Sequence, residues 1–233
     1  LIIINSHSHE KFFISDNSKY YADEYIHYSG FNQIENIKAF LFITSGKGYT
    51  KQEVKTVVSE DSYSSSVFYD DNKLLHIVFP KVSKNSRSLV SYTEQYNDAH
   101  LFNRFFLSSY IPTIYSEVSI SFPENVKIKY KIFNPDKYKI DFKEEKTGKT
   151  IKYTWSKSDV KKYDIANESF SISYYEPHIS IQIEEYTYNG KTQKLLSDVD
   201  DLYNWYYSLV KNTNKDFSGE IKALADSITT GIT

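Results

Sequence analysis

Tyr115-Ser116-Glu117-Val118-Ser119-Ile120-Ser121-Phe122-Pro123-Glu124-Asn125-Val126-Lys127-Ile128-Lys129-Tyr130-Lys131-Ile132 is the stretch whose reading decides the fold. Val118, Ile120 and Phe122 alternate with Glu117, Ser119 and Ser121, and Val126, Ile128, Tyr130 and Ile132 alternate with the three lysines. In an extended chain successive side chains leave on opposite faces, so a period of two gives each strand one apolar and one polar face. Pro123-Glu124-Asn125 interrupts the alternation with turn formers, and the two halves predict an antiparallel hairpin with a lysine-lined outer face.

The same period extends outward. Tyr138, Ile140 and Phe142 alternate with Lys139, Asp141 and Lys143, and after Thr147-Gly148 the pattern returns at Ile151, Tyr153 and Trp155. Gly148 supplies the positive φ that a tight hairpin needs. Ile179-Ser180-Ile181-Gln182-Ile183 predicts a strand before a turn at Asn189-Gly190. Upstream, Glu35 to Ile43 begins by alternating and ends apolar on both sides, as a central strand does. Lys73 to Phe79 reads the same way, with Pro80 withholding an N–H from any further ladder, and Ser88 to Tyr96 predicts another strand.

After Leu196 the period changes. Val199, Leu202, Tyr206 and Leu209 share a helical face, and Ser197 stands where a cap is expected, with Asp198, Asp200 and Asp201 suited to the helix's positive end. Phe217, Ile221, Leu224 and Ile228 mark a second helix, with Gly231 as its stop. The fold class is therefore all-β, an antiparallel β-sandwich of many strands followed by two short C-terminal α-helices. Residues 1–195 form the β-sandwich domain, with a division into two sub-sheets near 113 left open, and 196–233 form a helical segment.

Composition narrows the function. Of 233 residues 25% are charged, for a net charge of −2 and a sequence pI near 6.3. That balance gives no field for drawing in nucleic acid or an anionic membrane. Leu1-Ile2-Ile3-Ile4 is too short to span a bilayer, so no membrane insertion is expected. Cysteine is absent, which removes disulfides, thiolate metal sites and thiol nucleophiles together. Methionine is absent too, and the expectation is a chain processed or cut from something longer. The 22 tyrosines and 15 phenylalanines fit a sugar-stacking surface, and equally the strand propensity of aromatic residues.

Catalytic patterns are missing. His7-Ser8-His9 places two imidazoles on one face of a strand, half a metal site without a nameable third ligand, or a solvated edge. His27, His76, His100 and His178 are scattered singly. No Gly-x-Ser-x-Gly elbow occurs, and Gly46-Lys47-Gly48 lacks the frame of a phosphate loop. Glu144/Glu145, Glu184/Glu185 and Asp200/Asp201 are sequence neighbours; on a strand such pairs face opposite sides and do not flank one glycosidic bond. Asp70-Asp71-Asn72 is turn chemistry. No catalytic residue, metal or cofactor is assigned. The best candidate site is the stretch from Asn97 to Phe106, which joins polar, titratable and aromatic residues between two strand patterns; His100, Phe102, Arg104 and Phe105 are its candidate binding residues, against the alternative that its rings plug the sandwich end.

His76-Ile77-Val78-Phe79-Pro80-Lys81-Val82, a turn, and Ser88-Leu89-Val90-Ser91-Tyr92 carry a family resemblance. The pattern is similar to that of a bacterial domain of unknown function found immediately N-terminal to transglutaminase-like domains in large exported proteins. Ile34 to Phe42, Pro112 to Pro123 and Ser218 to Leu224 fit it as well, so that the resemblance runs from about Phe12 to Ile228. Two departures stand out: Asn85 and Ser86 occupy a turn where the family carries Gly, and Ser91 replaces a common Glu. Asn tolerates the left-handed region, so the turn is expected to survive.

The resemblance implies an exported, periplasmic or cell-surface accessory domain without an active site of its own, placing substrate or a partner for a downstream domain of the same polypeptide. Protein and glycan are the further partners it leaves open. The alternatives are a carbohydrate-binding module using exposed Tyr and Phe rings, and a hydrolase built on His100, Arg104 and a carboxylate. If the helices serve a downstream domain, Tyr206, Leu209, Leu224 and Ile228 should be under-buried in this chain.

Overall fold

The computed structural model describes residues 3–62, 71–102, 104–163, 170–213 and 219–230. The described chain is mostly strand, in several antiparallel sheets with two short helices at its C-terminal end. It divides into two compact units, Leu1–Phe102 and Asn103–Thr233. No helix among the described residues is long and apolar enough to cross a membrane.

The first unit holds β1 (Ile3–Phe12), β2 (Glu24–Tyr28), β3 (Asn32–Ser45), β4 (Gly48–Glu53), β5 (Val57–Asp61), β6 (Lys73–Ile77) and β7 (Arg87–Tyr96). They make two sheets, ordered β1-β7-β3-β4 and β2-β6-β5. Ile26 and Ile77 from the smaller sheet share one buried cluster with Ala39, Leu41 and Val90 from the larger, which is two-layer packing. β3 is internal, as expected, and Phe40 and Phe42 on its second apolar face are half-buried. Lys51 lies 3.7 Å from the Phe40 ring centroid and Arg87 4.2 Å from that of Phe42, so charged heads close that side. The turn after the Phe-Pro strand does survive: Asn85 takes φ 64°, and its N–H donates to the Phe13 carbonyl at 2.6 Å while Ser86 returns a carbonyl to Phe13 N at 3.0 Å.

The second unit holds β8 (Arg104–Phe106), β9 (Thr113–Pro123), β10 (Val126–Phe133), β11 (Asp141–Thr147), β12 (Thr150–Val160), β13 (His178–Tyr188), β14 (Lys191–Lys194), α1 (Val199–Val210) and α2 (Gly219–Thr229). One sheet runs β11-β12-β9; in the other β13 pairs with β10 on one side and with β8 and β14 on the other. The predicted hairpins at Gly148 and at Asn189-Gly190 are present, with φ of 59° at Gly148.

The hairpin expected from Tyr115 to Ile132 is not. β9 pairs with β12 and β10 with β13, so the two runs belong to different sheets. Alternation identifies a strand and its buried face, but it does not choose the strand's neighbour. Here the turn itself is divided: Glu124 N donates to Lys149 O at 3.0 Å, on the β11–β12 side. Asn125 exchanges bonds with Thr187 on β13, through its carbonyl (2.8 Å) and its side-chain amide (2.7 Å). The apolar faces of β9 and β10 therefore meet across a core instead of lying side by side. Tyr130 from β10 reaches Trp155 (4.9 Å between centroids, 71°), Tyr153 and Phe142 on the opposite sheet, and Trp155 is fully buried.

A second correction concerns α1. Its cap is Asp198, whose carboxylate accepts from Asp201 N at 2.9 Å; Ser197, one residue earlier, donates its N–H to the Asp201 carboxylate at 3.0 Å. In α2, Ile221, Leu224 and Ile228 are exposed, while Phe217 and Gly231 lie outside the described residues.

The core of the first unit turns polar along β1 and β7. Glu94 is buried there, accepting from His7 Nε2 at 3.0 Å and Asn32 Nδ2 at 2.6 Å, and the His7 ring stacks on Tyr92 at 4.4 Å. Nearby, Lys11 Nζ donates to the Tyr21 and Asp23 carbonyls and pairs with Glu24 at 3.0 Å. Burial by itself would raise the Glu94 carboxyl; hydrogen bonds from His7, Asn32 and Tyr96 outweigh it and hold the group below its ordinary value. Burial, then the Glu94 and Glu24 charges, push the Tyr92 phenol up to about 12.

Two consequences are measurable. Trp155→Ala removes a fully buried ring from the middle of the second unit and should cost about 3–5 kcal/mol in urea unfolding; a loss under about 1 kcal/mol would mean that the aromatic cluster does not hold the two sheets. Glu94, with a folded pKa below the unfolded 4.5, contributes stability that is full above pH 4.5 and lost as pH falls through the folded value. Glu94→Gln should thus lower stability at pH 7 by about 1.5–3 kcal/mol, the scale of bonds to a charged acceptor. The difference should close on acidification, and a gap unchanged at pH 3 would show that the charge is not what the site stabilises.

Candidate functional site

On the second unit an open hollow of about 430 Å³ is lined by Arg104, Phe133, Asn134, Ser173, Tyr174, His178 and Ser180. Register explains why these meet. Ser180 lies opposite Arg104 and His178 opposite Phe106 on β8, while Phe133 on β10 lies opposite His178 on its other side. Directly paired residues share a face, and this face is the reverse of the one on which Ile179, Ile181 and Ile183 are buried. Arg104 and His178 are diagonal neighbours across the β8–β13 pair, a spacing of about 7–8 Å.

His178 is the fixed member. Its ring stacks on Phe133 (4.9 Å, 6°) and tilts against Phe106 (5.0 Å), and it is 4% exposed. Nδ1 lies 3.0 Å from the Glu176 carbonyl, and a carbonyl only accepts, so Nδ1 is the donor of that bond. The floor beside it is equally tied down. Asn134, at φ 51°, spends both amide hydrogens on the Ser173 carbonyl (3.1 Å) and the Glu176 carbonyl (3.0 Å). The Glu176 side chain is fully buried, taking Ser108 Oγ at 3.0 Å and an ion pair from Lys137. Lys131 Nζ stands 4.7 Å from the Phe133 centroid, and the Phe133 and Tyr174 rings are exposed.

The residues expected from the Asn97–Phe106 stretch divide between the units. His100 and Phe102 end the first: Asp98 caps the turn at Ala99–Leu101, accepting from His100 N (2.9 Å) and holding His100 Nδ1 at 2.5 Å. Arg104 and Phe105 belong to the second. Arg104 lines the hollow, whereas Phe105 stands opposite Ile179 on the other face of the sheet. The lining residues Phe133, Asn134, Ser173, Tyr174 and Ser180 were not marked by the sequence, and His178 was noted only as one scattered histidine. They come from the end of β10, the segment before β13 and the start of β13 itself, so the signal is strand pairing and not a local motif.

His7 and His9 do share one face of β1, with rings 6.2 Å apart, but His7 is engaged by Glu94 and Tyr92. Among the described residues no group of three or more His, Asp or Glu side chains is placed to hold a metal ion.

No curated protein matches the chain. A crystal structure from Parabacteroides distasonis, of a protein described as a putative protease, is similar at a TM-score of 0.66 and 16% identity. The likeness covers 100% of this chain and 44% of that one, so this chain spans less than half the length of its structural relative. At that identity the likeness establishes the fold alone. The family model of DUF3857, a domain of unknown function with a solved structure, matches residues 13–164, and the chain belongs to that family.

Proposed function

We propose that this chain is a non-catalytic interaction domain that works beside a second domain of the same polypeptide, with α1 and α2 as the docking surface. The observation that carries this reading is the state of the two helices. Leu202, Tyr203, Tyr206 and Leu209 on α1 and Ile221, Leu224 and Ile228 on α2 are all about half exposed or more, and α1 has no buried residue. Both helices are amphipathic, so their apolar stripes are built for burial that this chain does not supply.

The occupant we assign is a domain in the part of the polypeptide outside this chain. Supporting it, a similarly folded protein carries more than half of its length outside the matched region, and that protein is described as a protease. A transglutaminase-like neighbour, the partner implied by the family resemblance, is the reading we adopt, together with export to the periplasm or cell surface. Catalysis then belongs to the neighbour, and this chain presents substrate or partner. The sugar-binding alternative gains less support: the stacked exposed pair Tyr203–Tyr207 (6.1 Å, 7°) follows from i, i+4 spacing on a helix and is not a platform on a sheet.

Hydrogen exchange tests the docking. In the full-length polypeptide, amides of α1 and α2 should exchange at least about tenfold more slowly than in this chain alone, the mark of local opening suppressed by burial. Leu202→Asp with Leu224→Asp should abolish the difference. Equal exchange in both forms would remove the helices as the docking surface.

A further inference from the structure

Resting on the docking reading above, we infer that the two helices take unequal parts in it. The start of α1 is set in place by β13, and its tyrosine-bearing face is the primary grip, received by an uncharged apolar groove of the neighbouring domain. α2 is held only once α1 is seated.

α1 starts from the edge of β13. β14 pairs with that edge as far as Lys194, opposite Glu185, and the next three residues stay bonded to it. Leu195 N donates to Glu184 O at 2.8 Å, Gln182 Nε2 donates to Leu196 O, and Ser197 Oγ donates to Glu184 O at 3.0 Å. Ser197 N then donates to the Asp201 carboxylate, inside the first turn, and Asp198 caps that turn. The helix start is thus tied, through three consecutive residues, to the strand whose isoleucines are buried in the second unit. The bonds described in α2 are of another kind: Lys222 to Asp226, Ser227 to Leu224 O and Thr229 to Ala225 O all close within the helix. A surface already held near its bound position loses less freedom on association, so α1 is the better grip.

The exposed side of α1 has the chemistry of an anchor. At about 100° per residue its apolar residues cover an arc of about 160°, from Leu209 and Leu202, through Val199, Tyr206 and Val210, to Tyr203 and Tyr207. They are between 44% and 78% exposed, and no charged residue falls within the arc. Asp201 and Trp205, one turn apart on the other side, are the half-buried residues of the helix. The arc is wider than the stripe of about 100° with which a helix lies on one layer, so the surface that receives it is concave. Charged groups on that surface would leave water without partners on α1, so its lining is apolar. Three tyrosines supply large rings with few rotatable bonds, a residue type that carries much of the binding energy at interfaces.

Hydrogen exchange on variants of the full-length polypeptide separates the two roles. Tyr203→Ala with Tyr206→Ala should return the amides of both helices to their rates in this chain alone, a loss of about tenfold protection or more. Ile221→Ala with Leu224→Ala should release α2 and leave α1 protected. In this chain alone, α1 should exchange more slowly than α2, and Gln182→Ala with Ser197→Ala should narrow that gap. The unequal roles are overturned if the tyrosine pair leaves α1 protected, if the α2 pair releases both helices equally, or if the two helices exchange alike in this chain alone. Should the tyrosine pair lower the melting temperature of this chain, Val199→Asp, on the same arc and compatible with a helix N-terminus, carries the test in its place. If the unmodified full-length polypeptide protects neither helix, the docking reading itself fails, and the unequal roles with it.

Discussion

The alternation along β13 divides the second unit into an inside and an outside, and both the core and the hollow depend on it. Ile179, Ile181 and Ile183 face inward and are buried, while His178 and Ser180 face outward into the hollow. Because β13 pairs with β10 on one side and β8 and β14 on the other, its pleat sets the register of three other strands. A shift of one residue in that register would turn His178 and Ser180 toward the isoleucine side and expose three isoleucines, at about 1.5–3 kcal/mol for each apolar side chain. The outward face is thus specified by the inward one, and the site inherits its geometry from the packing of residues that never touch it.

Each unit also buries a carboxylate, and each ties together side chains from separate segments of its unit. Glu94 gathers His7 and Asn32 from β1 and β3, and Glu176 gathers Ser108 and Lys137. An ionised group out of water is tolerated only when its lone pairs are filled, so these contacts must form together or not at all. In the second unit the result is positional. The Glu176 backbone carbonyl and side chain hold Asn134, Lys137 and His178 at once, which ties down the floor of the hollow.

Strands and hairpins were legible in the sequence because they depend on neighbouring residues. Gly148 and Asn189-Gly190 closed the loops expected of them, and Asn85 accepted the positive φ of a glycine turn. The arch at Pro123–Asn125 was not legible, since the bonds that make it an arch come from Lys149 and Thr187. The hollow was half legible for the same reason. Arg104 stood out beside His100 and two phenylalanines, but its structural neighbours His178 and Ser180 are brought to it only by the pairing of β8 with β13.

The helices pose the remaining physical question, which is how they hold together. Isolated helices shorter than about 12–15 residues are marginal in water, and α1 and α2 have 12 and 11. Asp198 as cap and the acidic first turn of α1 contribute on the order of 1 kcal/mol, too little to replace a tertiary contact. α2 carries an exposed Lys222–Asp226 pair (2.7 Å), worth about 0.3–0.5 kcal/mol. A partner that buries Leu202, Tyr206, Leu224 and Ile228 would give about 1.5–3 kcal/mol for each side chain fully covered, more than either helix has in local terms. If the helices dock as proposed, their ordering and the burial of their apolar faces are one event, and the surface that docks is also the surface that folds.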